Sequence, residues 1–130
     1  MQPAPPTEEH VTIPADGVSL SGILAYPEVG TPRRAVLLCA PHPHFAGDMD
    51  NNVVQAVARC LAEDSVVLRF DYRGVGESQI DLPADVSVFD YWEEIEEQRD
   101  YARVGGDVHA ALAALTTASG GLPMALIGYS

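Results

Sequence analysis

The chain has 130 residues, 47% hydrophobic and 20% charged, which fits one small globular domain and excludes a disordered chain. Lys and Arg total 7 against 19 Asp and Glu, a formal net charge of -12, and every base is Arg. A surface this negative repels phosphate backbones and anionic lipid, so neither nucleic acid nor a membrane surface is expected as a partner.

Residues 1–9, with Pro3, Pro5 and Pro6, read as a flexible lead-in, and residues 10–130 as the domain. Two strand-like runs follow, His10 to Pro14 and Val18 to Tyr26, and the Asp16-Gly17 pair between them signals a hairpin turn. Ala35 to Ala40 is apolar at every position, as in a parallel strand buried on both faces. Asn51 to Ala62 places Val53, Val54, Val57, Ala58 and Leu61 at helical spacing, and Ser65 to Phe70 is another apolar strand.

Residues 79–104 form an acidic stretch that reads as an insertion, with Val88, Trp92, Ile95 and Ala102 as one narrow apolar stripe on a solvated helix. The rival reading makes it a cap over a pocket, with Tyr91 and Trp92 as its rim. A helix running to Leu115 is predicted from Asp107, the expected N-cap after Gly105-Gly106, and Met124 to Ile127 has the pattern of a buried central strand. The order β-β-β-α-β-α-β argues for an α/β fold: a three-layer, doubly wound, mostly parallel sheet with a leading antiparallel hairpin.

No apolar run reaches the ~20 residues of a membrane helix. The polar start M-Q-P-A-P-P-T-E-E-H has no signal-peptide pattern, so the cytoplasm is the expected location. Cys39 and Cys60 give no ligand pair and are expected as reduced thiols packed among apolar side chains.

Chemistry in such a sheet gathers outside the carboxyl ends of its strands. Three segments leave such ends: P-H-P-H-F-A-G-D-M-D-N-N after Ala40, D-Y-R-G-V-G-E-S after Phe70, and G-Y-S after Ile127. A buried strand followed by Gly and Ser is how a nucleophile elbow begins, and it places Ser130 where a nucleophile belongs. His42, His44, Asp48 and Asp50 are metal-ligand types, yet Pro43, Gly47, Asn51 and Asn52 read equally well as shaping a turn into a helix. Asp71 and Arg73 are expected to pair and shape their turn. Gly74-x-Gly76 lacks the third glycine of a dinucleotide fingerprint.

Together the three segments resemble the α/β-hydrolase superfamily, above all small serine hydrolases with an H-P-x-x-G-G-T-M-like loop and an R-G-x-G-x-S loop. The resemblance runs from about His10 to Ser130 and corresponds to the N-terminal half of that fold, an incomplete α/β-hydrolase domain. It implies that Ser130 is the nucleophile of a hydrolase acting on small esters or related acyl compounds, without cofactor or metal. It further implies that the amide of His44 or Phe45 donates to the oxyanion hole. The family's acid and histidine follow the nucleophile in chain order, so the 130 residues alone are expected to be inactive. His42, His44, His10 and His109 match no family base. Two rival functions remain: a non-catalytic domain that assembles with a partner or with itself through the open edge at Met124 to Ile127, and a metal-dependent hydrolase built on the His-Pro-His loop.

Overall fold

The computed structural model describes residues 5–45 and 47–129. Among these residues, five strands form one mixed sheet in the order β1-β2-β4-β3-β5. They are β1 (Thr7–Ala15), β2 (Val18–Tyr26), β3 (Arg34–Cys39), β4 (Ser65–Phe70) and β5 (Met124–Gly128). The hairpin is antiparallel with Ala15 opposite Val18, and Gly17 takes the positive φ of 81° that its tight turn requires. β2 also pairs antiparallel with β4, whereas β4, β3 and β5 run parallel. Their carboxyl ends therefore share one edge.

Among the described residues, three α-helices complete the layers: α1 (Asn52–Leu61), α2 (Val88–Gln98) and α3 (Ala102–Ser119). Side-chain alternation along β3 and β4 splits the core between two faces. Leu37, Leu68 and Phe70 pack with Trp92 and Ile95 of α2 and Ala111 and Leu115 of α3. Val36, Leu38 and Val67 pack with Val54 and Ala58 of α1. Both faces are covered, as the all-apolar β3 pattern predicts. Asn51 starts α1 by accepting the Val53 and Val54 amides at 2.9 and 3.3 Å, a cap worth about 1 kcal/mol. Among the described residues, no helix is long and apolar enough to cross a membrane.

Several expectations need correcting. The strand begins at Thr7, inside the expected lead-in, because β2 is long enough to pair Thr7, Glu8 and Glu9 with Tyr26, Ala25 and Leu24. Asp107 does not cap α3, which starts five residues earlier at Ala102, where Asp100 Oδ1 accepts the Ala102 amide at 3.3 Å. Gly105 and Gly106 lie within the helix, and Asp107 is buried by an ion pair described below. Cys39 is buried, but Cys60 is exposed, on the outer side of α1. Among the described residues β5 pairs only with β3, and all five of its residues are exposed rather than buried. In the acidic stretch, α2 turns Tyr91, Trp92 and Ile95 inward and its carboxylates outward, as a solvated helix does, but the expected stripe is broken: Ala102 is exposed and begins α3.

Candidate active site

The chain runs from β3 to β4 on one side, then returns past β3 to β5 on the other. This reversal makes the carboxyl ends of β3, β4 and β5 the place where an open sheet accepts ligand. Cys39 stands in register with Gly128, and the Tyr129 amide donates to the Cys39 carbonyl at 3.2 Å. Residues 128–129 thus lie beside the start of the loop after β3. Ser130 itself lies outside the described residues, as does Ala46. A Cβ added at Gly128 meets nothing within 4 Å among the described residues.

Pro43–Phe45 form one 3₁₀ turn, and the amides of both candidate oxyanion donors point inward. The Phe45 amide donates to the His42 carbonyl at 2.8 Å, and the His44 amide to His42 Nδ1 at 3.1 Å. Outside this turn the loop touches α2. The His44 ring stacks on Phe89 with centroids 4.0 Å apart, and its Nε2 lies 3.2 Å from the Phe89 carbonyl. His42 meets Trp92 edge-on at 5.6 Å, and its Nε2 is 3.7 Å from Glu96 Oε2. Burial, reinforced by the neighbouring His44, lowers the His42 pKa below the usual histidine value, with Glu96 opposing.

Two buried charged side chains, Asp71 of the second segment and Arg69, which no motif marks, hold the far end of the loop. Arg69 Nε donates to the Met49 carbonyl at 3.0 Å, and Asp71 Oδ1 accepts the Met49 amide at 2.7 Å. Burial, reinforced by Asp48 and Asp50, pushes the Asp71 carboxyl up to about 6, against the Met49 hydrogen bond and Arg69. The Ser78 hydroxyl donates to the Asp71 carbonyl at 2.7 Å and accepts the Ser21 amide at 2.8 Å, fastening the second loop to β2.

The expected Asp71–Arg73 pair does not form. Two residues apart on an extended turn, they serve different partners: Asp71 takes Met49, and Arg73 takes Asp107 of α3. The only sequence trace of Arg69 is a lone base in an otherwise apolar strand. Gly47, a turn-shaping residue by sequence, is also sterically required: a Cβ there would overlap the carbonyl oxygens of Pro41 and His42. Beneath the site, burial raises the Cys39 thiol pKa, with a Tyr72 hydrogen bond opposing, and burial likewise raises the Tyr72 phenol.

Solved structures share this fold. A serine hydrolase homologue from Coxiella burnetii matches with a TM-score of 0.73 at 24% identity, covering 94% of this chain and 51% of that one. A serine hydrolase without a lid from Xanthomonas campestris gives 0.73 at 20%, covering 100% and 54%. The chain has the α/β-hydrolase fold. A dienelactone hydrolase-like promiscuous phosphotriesterase from metagenomic libraries aligns with the same fold at a TM-score of 0.72 and 22% identity, over 97% of this chain and 50% of its own. The chain spans about half the length of these α/β-hydrolase structures. No family model and no curated protein matches it.

Proposed function

We propose that the chain carries the nucleophile and oxyanion loop of a serine hydrolase acting on small esters or related acyl compounds. Ser130 attacks the acyl carbon, and an amide of the β3 loop, His44 or Phe45, receives the developing oxyanion. The observation that carries this reading is the β3–β5 register, with the Tyr129 amide bound to the Cys39 carbonyl, which brings the strand end before Ser130 beside that loop.

The triad's acid and histidine are expected from the half of the fold that these residues do not span. His10 is exposed on β1, His109 is exposed on α3, and His42 and His44 are engaged with their own loop and α2. For the metal-dependent alternative, no group of three His, Cys, Asp or Glu among the described residues is placed to hold an ion. An alkyl fluorophosphonate tests the proposal. The complete gene product should label at Ser130 and lose labelling as Ser130→Ala, whereas the 130-residue polypeptide should label poorly, its hydroxyl having no base. Labelling that persists in Ser130→Ala refutes it.

A second reading, a domain that assembles with itself through β5, draws on Met124, Leu126 and Ile127, which are 38, 52 and 38% exposed on a one-sided strand. For the 130-residue polypeptide it requires self-association in sedimentation; a sharp monomer refutes it.

A further inference from the structure

The site's loop contains an arrangement that the proposed function does not require. An oxyanion donor must present its N–H to the reacting carbonyl, but the His44 amide donates to the ring of His42 at 3.1 Å. Because Nδ1 accepts that proton, the neutral ring carries its own proton on Nε2. Nε2 is buried, facing Glu96 Oε2 at 3.7 Å and the Trp92 backbone. Trp92 lies edge-on at 5.6 Å, while His44 and Phe45 crowd the ring at 4.8 and 6.0 Å. The ring is therefore held between its own loop and α2.

We propose that His42 is a positioning residue that latches the oxyanion loop: Nδ1 keeps the His44 amide turned inward, and α2 holds the ring in that pose. The inference rests on the serine-hydrolase reading and deepens it. Its chemistry is reversible. A second proton on the imidazole must bind at Nδ1, which then has no lone pair for the amide, so protonation opens the latch. The titratable groups facing the ring are His44 on the loop and Glu96 on α2; Trp92 and Phe45 complete its surroundings uncharged. Burial lowers the pKa of His42, so the latch stays shut through neutral pH and opens only on the acid side of the usual histidine range.

The test combines nitrogen NMR with hydrolysis of p-nitrophenyl butyrate by the complete gene product. The wild type should show a scalar coupling across the hydrogen bond between the His44 amide nitrogen and His42 Nδ1. Its His44 amide proton should move upfield on acidification with the midpoint of the His42 ring. His42→Phe, which has no acceptor, should raise kcat about fivefold with little change in KM, the size of one net hydrogen bond. His42→Asn, whose Oδ1 can accept the same amide, should restore the wild-type kcat and abolish the acid titration of the His44 amide. A His44 amide that does not titrate with His42, or a kcat unchanged or lowered in a folded His42→Phe, overturns the latch. Should His42→Phe fail to fold, the coupling and titration in the wild type, against their loss in His42→Asn, decide the matter. Absence of any Ser130-dependent turnover would instead refute the hydrolase reading, whatever the NMR shows.

Discussion

Arg73 and Asp107, 34 positions apart, form a forked ion pair: Nη2 lies 2.7 Å and Nε 3.1 Å from Asp107 Oδ1, while the Arg73 amide donates to Oδ2 at 3.1 Å. Asp107 is fully buried, and its carboxylate raises the Arg73 pKa further. The pair ties α3 to the loop after β4. Asp107→Ala should cost about 3–5 kcal/mol, because it leaves a largely buried guanidinium without its counter-charge. A cycle with Arg73→Ala should show strong non-additivity, since either single change orphans the other group. Urea unfolding of the four proteins measures both; a loss below about 1 kcal/mol for Asp107→Ala would sink the account.

The same pair marks where sequence reasoning stops. Strands and the first helix are legible because they follow from local patterns: the apolar run of β3, the Asp16-Gly17 turn, and the helical spacing after Asn51. Buried polar partnerships are not, because they depend on elements far apart in the chain. Asp107 looks like an N-cap after two glycines, and only the packing of α3 against the second loop turns it inward. Asp71 and Arg73 look like a pair because they are close in sequence, yet each finds a better partner across the fold. The loop's residue types point to the site, but the inward turn of the His44 amide depends on the ring position of His42, which no spacing encodes.

Asp71 gives the protein a pH dependence of definite sign. Its folded pKa is raised from 3.8 to about 6, so its contribution is fully present below about 4 and is lost as pH rises through about 6. Two pKa units correspond to about 3 kcal/mol at most. Asp71→Asn keeps an oxygen for the Met49 amide and cannot ionise. Its stability relative to wild type should therefore increase from pH 4 to pH 7, read from urea midpoints at several pH values. Parallel pH profiles for the two proteins would rule the mechanism out.

Glycines at two places should respond oppositely to alanine. Gly47 lies against the Pro41 and His42 carbonyls, which are backbone and can move only with the loop. Gly47→Ala should cost about 1–3 kcal/mol, as overpacking does, and should disturb the His44 amide resonance. Gly106 lies within α3, where an added Cβ meets nothing within 4 Å. Gly106→Ala should stabilise by about 0.5–1 kcal/mol through helix propensity. Thermal unfolding of both variants checks the contrast, and a neutral Gly47→Ala would contradict the packing argument.

Arg99 ends α2 in the left-handed region, at φ 52° and ψ 37°, and is the one non-glycine residue with positive φ among those described. The conformation is needed because α2 must stop and reverse within three residues before α3 begins at Ala102. An L side chain there costs roughly 1–2 kcal/mol relative to glycine, which is the usual residue at such a helix end. The arginine side chain is exposed, so little packing is lost on removing it. The unfolded chain gains freedom from glycine, which offsets part of the relief. Arg99→Gly should therefore raise stability by about 0.5–1 kcal/mol, with α2 unchanged by circular dichroism. A lower melting temperature would mean that the guanidinium makes a stabilising contact that outweighs the backbone strain.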